Sequence, residues 1–243
     1  MNCVILAAGY ATRLYPLTEH FPKPLLTVQG KTILDWLLDD LSGTEIGRYA
    51  LVSNHRYAGQ FRDWAKGRPE QIEVLDDGTE TNEGRLGAVI DMRLALDALG
   101  TDTETLVMAG DNLLDFSLTR FLDFSREKGG SCVMRYHEPS IERLRKGGVL
   151  TLDREDRVLS MAEKSPAPPT HWACPPFYLY APEALRLLPD AVRDGCGTDA
   201  PGSFLAYVVR RLPVYAMEMP GRRYDIGDLR SYELVQKEYR GIC

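Results

Sequence analysis

Short, mostly apolar runs recur along the chain, separated by stretches in which apolar residues return at helical spacing. Such runs, bounded by turn residues, are typical of strands that are buried on both faces of a sheet. They predict the strands Cys3–Leu6, Tyr49–Ser53, Ile72–Leu75, Thr105–Ala109, Ser131–Tyr136, Phe177–Tyr180 and Val214–Met219. The neighbouring runs Val149–Leu152 and Val158–Met161 are joined by a polar turn and predict a hairpin.

The stretches with helical spacing lie between these strands and place their apolar residues on one face. They predict the helices Ile33–Leu41, Tyr57–Lys66, Leu86–Leu99, Phe116–Lys128, Ser203–Arg211 and Leu229–Tyr239, with a further helix that begins at Pro182. Strands that alternate with helices indicate an α/β fold, in which a mixed, mostly parallel sheet is covered by helices on both faces. We expect one domain over residues 1–243, with an insertion at about 136–220.

Composition narrows the class of protein. The chain of 243 residues carries a formal net charge of −6, which argues against a broad nucleic-acid surface, so any phosphate site should be a local pocket. No apolar run is long enough to span a bilayer and no basic leader precedes the first strand, so we expect a cytoplasmic protein. The cysteines are odd in number and scattered, which favours reduced thiols over disulfides or a zinc site. They are Cys3, Cys132, Cys174, Cys196 and Cys243.

The loop after the first strand is the strongest candidate for chemistry. It begins with Leu6, Ala7, Ala8 and Gly9. Gly9 can adopt dihedral angles that other residues avoid. A tight loop of this kind, leaving a strand, aims successive backbone N–H groups at one point, which suits phosphate oxygens. Arg13 and Lys23 add fixed positive charge, as a phosphate ligand requires. A glycine-containing loop after a first strand is common in α/β proteins, so the loop alone does not distinguish phosphate binding from a plain turn.

Two aspartates stand where a metal ion could bind. Asp111 follows the predicted strand Thr105–Ala109, and ligands of parallel sheets collect at the carboxyl ends of the strands. Mg²⁺ takes one or two carboxylates together with phosphate oxygens and water, and Asp225 could supply the second carboxylate. Both residues also have an ordinary interpretation, Asp111 as part of an Asx turn and Asp225 as an ion-pair partner of the neighbouring arginines.

The order of these residues resembles the amino-terminal signature of the sugar-1-phosphate nucleotidylyltransferases, the nucleotidyl transferase family of NDP-sugar pyrophosphorylases. The resemblance rests on pieces that occur in the family's order, namely Leu6–Gly9, Thr12–Leu14, Pro16–Thr18, Pro22–Leu26 and Gly30–Leu34. It implies a three-layer α/β/α, Rossmann-like (GT-A-like) fold with a substrate-side insertion. It also implies a Mg²⁺-dependent reaction in which a nucleoside triphosphate and a sugar 1-phosphate give an NDP-sugar and pyrophosphate.

The resemblance assigns roles on the nucleotide side of the site. The loop from Leu6 to Gly9 would bind the nucleotide, together with Gly87 near the base and Asp111. For Gly87, helix packing is an equally good explanation. Arg13 and Lys23 would be the catalytic cations. Asp111 matches the family's metal-binding aspartate after a core strand, and Asp225 matches its later one.

Residues on the acceptor side match the family less closely. Glu163 and Lys164 resemble its E-K-P element, in which the glutamate binds sugar hydroxyls and the lysine binds the sugar phosphate. Ser165 stands where the proline is usual, and Cys174–Pro176 replaces an N-A-G segment. The stretch Glu83–Val89 is an altered version of the family's base-binding segment, so the base is not identified by it.

The resemblance implies UTP or dTTP as first candidates for the donor and a sugar 1-phosphate as acceptor, without nucleic-acid or membrane partners, in a monomer or homodimer. It divides the chain into a nucleotide-binding part (about 1–135), a sugar-phosphate part (about 136–220) and a metal-site segment with the closing helix (221–243). Two alternatives stay open: a cytidylyltransferase for a non-sugar phosphate or phosphonate such as phosphocholine, and a non-catalytic, nucleotide-binding regulatory relative. The segment Asp199–Gly202 has two interpretations, an anion-binding loop or a helix cap.

Overall fold

A computed structural model describes residues 1–242, so the predicted thiol of Cys243 lies outside the described residues. The strands are β1 (Asn2–Leu6), β2 (Thr27–Val28), β3 (Lys31–Thr32), β4 (Arg48–Ser53), β5 (Ile72–Asp76), β6 (Thr105–Ala109), β7 (Asn112–Leu114), β8 (Ser131–His137), β9 (Gly148–Leu152), β10 (Val158–Glu163), β11 (Trp172–Cys174), β12 (Phe177–Tyr180), β13 (Val214–Glu218) and β14 (Arg223–Asp225). The helices are α1 (Ile33–Asp40), α2 (His55–Ala65), α3 (Ala88–Leu99), α4 (Thr119–Lys128), α5 (Ile141–Leu144), α6 (Pro182–Leu185), α7 (Leu188–Arg193), α8 (Gly202–Val208) and α9 (Leu229–Glu238).

The central sheet confirms the predicted fold class. Strands β5, β4, β1 and β6 are adjacent and parallel. Strand β12 is antiparallel to both β6 and β8, and β13 lies parallel to β8 on the other side. Because parallel strands end at the same edge, the loops that follow β1 and β6 meet there.

Strand β8 connects the central sheet to a second, antiparallel group of strands. Its first half pairs with β12, at Cys132 and Val133, whereas its last residues Tyr136 and His137 pair with β11. Strands β9 and β10 form the predicted hairpin and extend this group beyond β11. The segment 136–220 therefore supplies β9–β11 beside the sheet and also β12 and β13 within it. The division of the chain into functional parts stays a prediction.

Alternation along the strands produces two cores, one on each face of the sheet. On one face Val4 of β1 packs with Val89 and Met92 of α3. On the other face Ile5 packs with Leu37 of α1 and with residues of α2 and α4. These two layers of helices confirm the predicted three-layer architecture. The cysteines 3, 132, 174 and 196 are free thiols, as predicted. No helix within residues 1–242 is long and apolar enough to cross a membrane.

Several boundaries differ from the sequence prediction for local reasons. Helix α2 begins at His55 rather than Tyr57, because the Asn54 side chain accepts the backbone N–H of Tyr57 at 3.1 Å and caps the first turn. Helix α4 begins after Leu118 rather than at Phe116. The backbone N–H of Leu118 is bound by the Asp40 carboxylate at 2.6 Å, which fixes the chain before the helix starts. The short strands β7, β11 and β14 were not predicted.

A third apolar cluster attaches the loop after β1 to the end of the chain. It contains Leu14 from that loop, Leu113 of β7, Ile226 after β14, and Val235 and Tyr239 at the last helix. The Tyr239 hydroxyl also donates to the carbonyl of Leu114 at 2.9 Å. The loop that carries Arg13 is therefore held in place by residues from the far end of the sequence.

Candidate active site

The loop after β1 forms one wall of a cavity at the carboxyl edge of the sheet. The N–H of Ala7 donates to Val52 of β4 at 2.9 Å, and the Asn54 amide donates to the Ala8 carbonyl at 3.0 Å. The backbone of Gly9 lies outside the left-handed region, so the loop does not use this freedom of glycine. The left-handed residue of this loop is Ala11, with φ 46° and ψ 42°.

Lys23 and Asp111 form the central ion pair of this cavity. Proline residues on both sides of Lys23 hold it in a short 3-10 turn, and its side chain is only 7 % exposed. The Lys23 Nζ lies 2.7 Å from Oδ2 of Asp111, and the Asn112 amide donates to Oδ1 at 2.8 Å. Burial alone would raise the pKa of Asp111, but the Lys23 ammonium outweighs it and keeps that pKa below its usual value.

The cavity has a volume of about 210 Å³. Among its lining residues are the predicted nucleotide and catalytic residues Leu6, Ala7, Gly9, Arg13, Lys23 and Asp111. Ala8 is buried behind the loop and Gly87 lies elsewhere. The structure thus brings together most of the residues that were predicted to bind the nucleotide. It places two cations where a polyanion could enter.

Arg13 reaches the cavity from the side of the last helix. Its guanidinium faces Gly227, where a Cβ would lie 3.8 Å from either terminal nitrogen. The Arg13 charge also helps to lower the pKa of Asp228, although hydrogen bonds from Ser231 lower it more. Within residues 1–242 no carboxylate lies within ion-pair distance of Arg13, so its guanidinium is available to a ligand.

Gly87 is required by packing against the chain itself. Its φ is +95°, and a Cβ there would lie 2.5 Å from the Thr198 carbonyl oxygen. It precedes α3, and the N–H of Val89 donates to that same carbonyl at 3.0 Å. Its contact with a nucleoside stays a prediction.

A second cavity of about 830 Å³ adjoins the first, because Gly227 lines both. Its walls include Gly148, Glu163, Tyr178 and Asp225. Glu163 packs beneath Gly148 and Gly202, whose missing Cβ atoms leave room for its carboxylate. Burial raises the pKa of Glu163, opposed by the charge of Lys164.

The two predicted metal ligands lie next to one strand pair, because Asp111 immediately precedes β7 and Asp225 is the last residue of β14. Strand β14 is antiparallel to β7, and Asp225 stands opposite Asn112, the residue after Asp111. Asp111 faces the smaller cavity and Asp225 the larger one. Within residues 1–242 no group of three or more acidic, histidine or cysteine side chains could hold a metal by itself. Carboxylates are ligands that Mg²⁺ accepts together with phosphate oxygens and water, so the residue types fit the ion, and a site shared by Asp111 and Asp225 stays a prediction.

Arg223 is a site residue that sequence analysis treated only as a neighbour of Asp225. It lies mostly buried in the larger cavity. Its Nη1 donates to the Asn112 side chain at 2.6 Å, and its Nη2 donates to the Tyr136 hydroxyl at 3.4 Å. Its Nη2 lies 3.9 Å from Asp225. The unpredicted pairing of β14 with β7 is what turns Arg223 inward.

Lys164 does not line either of these cavities. It has a φ of 48°, and its ammonium binds the Asp199 carboxylate at 2.5 Å. Helix α8 begins at Gly202, with Pro201 at its N-cap position and no side-chain capping bond, so residues 199–202 include the cap position, whereas anion binding by this segment stays a prediction.

The fold and this pair of cavities define an α/β protein with a cationic, phosphate-sized site at the carboxyl edge of its sheet. The profile of the Nucleotidyl transferase family matches residues 2–241, and the chain belongs to that family. This confirms the resemblance stated from the sequence.

Among curated relatives, the chain is 27 % identical to a glucose-1-phosphate adenylyltransferase of Thermotoga neapolitana, over 94 % of this chain and 58 % of the relative. It is 26 % identical to a UTP–glucose-1-phosphate uridylyltransferase of Synechocystis sp., over 96 % of this chain and 61 % of the relative. The chain thus spans about three fifths of the length of these relatives. A solved UDP-glucose pyrophosphorylase complexed with UDP-glucose has the same fold, with a TM-score of 0.82 and 19 % identity, over 98 % of this chain and 97 % of the other.

Proposed function

We propose that this chain transfers a nucleotidyl group from a nucleoside triphosphate to a sugar 1-phosphate and releases pyrophosphate, with Mg²⁺ as cofactor. The observation that carries the proposal is the smaller cavity, in which a buried Lys23, a free Arg13 and the loop from Leu6 to Gly9 surround one phosphate-sized space. The adjoining cavity with Glu163 supplies room for a sugar.

The chemistry requires positioning and charge rather than proton transfer. The attacking phosphate oxygen is already anionic, so no general base is needed, and the barrier lies in bringing two anions together and in stabilising the leaving pyrophosphate. Arg13 would bind the β- and γ-phosphates and the leaving group. Lys23 would neutralise charge at the α-phosphate and at the incoming phosphate.

Asp111 and Asp225 would hold Mg²⁺, which when bound acts as a Lewis acid toward phosphate oxygens. Glu163 would accept hydrogen bonds from sugar hydroxyls. Its pKa, raised by burial, also lets it be protonated more readily than an exposed glutamate. Lys164, the residue after Glu163, would meet the acceptor phosphate.

UTP and dTTP are the donors to test first. The base-binding segment of this chain is altered, and the relatives named above include an adenylyl- and a uridylyltransferase. A screen of all common nucleoside triphosphates is therefore needed.

The test is pyrophosphate release in the presence of Mg²⁺, with each triphosphate set against a panel of sugar 1-phosphates and phosphocholine. Release that requires one triphosphate and one sugar 1-phosphate is the expected result. Release with phosphocholine alone would replace the sugar by a non-sugar acceptor. Triphosphate binding in a thermal-shift assay without any release would favour a regulatory, non-catalytic role.

A further inference from the structure

Asp199 joins two loops that approach the site from different parts of the chain. Its Oδ2 accepts the Lys164 ammonium at 2.5 Å, after β10. Its Oδ1 accepts Nη2 and Nε of Arg85 at 2.9 Å and 3.2 Å, before α3. One carboxylate thus links the loop that precedes α3 to the predicted acceptor lysine.

The position of Asp199 is set by its backbone and not by these ion pairs. The Thr198 carbonyl accepts the N–H of Val89 at 3.0 Å, and the Asp199 carbonyl accepts the N–H of Ala88 at 3.4 Å. These bonds satisfy N–H groups at the start of α3 that have no partner within the helix. Gly87 permits the close approach, since a Cβ there would meet the Thr198 carbonyl. The backbone that carries the Asp199 carboxylate is therefore held in place independently of Lys164 and Arg85.

The direction of the Lys164 side chain depends on its contact with Asp199. Its side chain is 51 % exposed and, within residues 1–242, its ammonium has no partner besides Asp199. A lysine ammonium on a flexible four-carbon stem samples many rotamers when nothing holds it. The backbone of Lys164 is held by a bond from its N–H to the Gly147 carbonyl at 2.9 Å. Only the Asp199 contact orders the charged end.

The charges around Asp199 argue against a mainly structural role. The side chains of Lys164, Asp199 and Arg85 are each about half exposed. Ion pairs of this exposure add little to stability. An ordered ammonium on the residue next to Glu163, which lines the larger cavity, has a use in catalysis, because an anionic acceptor has to be aligned before it attacks.

From these contacts we infer that Asp199 is a positioning residue, which holds Lys164 in the direction that the acceptor's phosphate requires. This inference rests on the proposed function. The Lys164 ammonium donates to one oxygen of the Asp199 carboxylate, Oδ2. Two of the three N–H donors of the ammonium therefore remain for the acceptor. Because the same Asp199 carboxylate also pairs with Arg85, it does not neutralise the charge of Lys164 completely.

The test compares Asp199→Asn with the wild-type chain by steady-state pyrophosphate release, measuring the KM of acceptor and donor separately. Asparagine keeps the shape of the side chain and loses its charge. We expect the acceptor KM to rise about tenfold, as for a misplaced contact group, and the donor KM to change less than about twofold. The control is Asp102→Asn, which removes a more exposed ion pair with Arg186 and should change neither KM.

A double-mutant cycle identifies the route of the effect. If Asp199 acts through Lys164, then Asp199→Asn adds nothing to the acceptor KM in a Lys164→Ala background. An unchanged or lowered acceptor KM in Asp199→Asn would overturn the inference, as would an undiminished effect in the Lys164→Ala background. A wild-type chain without any pyrophosphate release overturns the proposed function, and this inference falls with it. Wild-type release with no difference in the variant overturns the inference alone.

Discussion

Replacing Lys23 by methionine tests the central ion pair, because methionine keeps most of the volume of lysine and removes its charge. At 2.7 Å the attraction between Lys23 and Asp111 is about 6 kcal/mol for an effective dielectric constant of about 20, before desolvation is subtracted. Breaking a fully buried pair costs about 3–5 kcal/mol, because the remaining charge is left without a partner. The Asp111 side chain is 40 % exposed, so water can replace part of the lost contact.

We therefore expect Lys23→Met to lower the free energy of unfolding by about 2 kcal/mol, roughly half the cost of breaking a fully buried pair. For a chain of this length that corresponds to a fall in Tm of about 4–8 °C. The catalytic loss should be larger, with kcat reduced at least about a hundredfold, or about 2.7 kcal/mol in activation free energy. Differential scanning calorimetry and pyrophosphate release measure the two effects.

A second substitution separates charge from shape. In the Lys23→Met background, Asp111→Asn removes the unpaired carboxylate, so stability should recover by about 1 kcal/mol while activity stays low. Lys66→Met serves as the control, since its ion pair with Asp63 is three-quarters exposed at both ends and should cost less than about 0.5 kcal/mol. Wild-type kcat in Lys23→Met, or a further loss of stability when Asp111→Asn is added, would refute the reasoning.

The same pair predicts a pH dependence. The folded-state pKa of Asp111 lies below its unfolded value, because Lys23 outweighs the effect of burial. Such a group stabilises the fold at pH above its unfolded pKa, and the contribution is lost as the pH falls through the folded pKa. The difference in unfolding free energy between the wild type and Lys23→Met should therefore shrink in acid.

Three further predictions concern other residues. Asp91 is 5 % exposed, and burial together with the charge of Asp77 raises its pKa to about 7. The wild type should therefore lose stability as the pH rises toward that value. Urea unfolding should show Asp91→Asn to be more stable than the wild type by about 1 kcal/mol at pH 8.5, with a smaller difference near pH 5. Gly87→Ala should lower the unfolding free energy by more than about 2 kcal/mol, because the new Cβ would clash with Thr198 and the residue has a positive φ. Gly59→Ala, in the open interior of α2, should raise the unfolding free energy by about 0.5–1 kcal/mol. Equal effects of the two substitutions in thermal melts would contradict the packing explanation. Arg13→Ala should reduce kcat about a hundredfold with an unchanged Tm, because within residues 1–242 its guanidinium has no partner, and normal turnover would remove Arg13 from the site.

Much of the fold could be predicted because it rests on local pattern. The buried runs of β1, β4 and β6 are apolar without interruption, and α1 has a regular apolar face, so both signals are strong in the sequence alone. The strands β7, β11 and β14 have three residues each and carry no such period. They form because a partner strand lies beside them, which is a property of the assembled fold.

The residues of the site likewise divide into those that local sequence pattern could predict and those that it could not. Lys23 and Asp111 stand on opposite sides of a long stretch of sequence, yet each follows a recognisable element, so their meeting at one sheet edge could be anticipated. Arg223 could not be assigned, because its inward direction depends on the pairing of β14 with β7. Asp199 was ambiguous for a related reason, since an aspartate in a polar loop carries no sign of the two cations that reach it from Arg85 and Lys164.

The apolar cluster that joins Leu14 to Val235 and Tyr239 has a consequence for how the protein is made. The loop with Arg13 leaves the ribosome well before the surface that holds it, because that surface belongs to a much later part of the sequence. Until Tyr239 has been added and has docked on β7, Leu14 has no apolar surface from α9 to pack against. The nascent chain can therefore build most of its sheet before the surface that holds the Arg13 loop exists, so the phosphate site should be complete only after α9 has been synthesised.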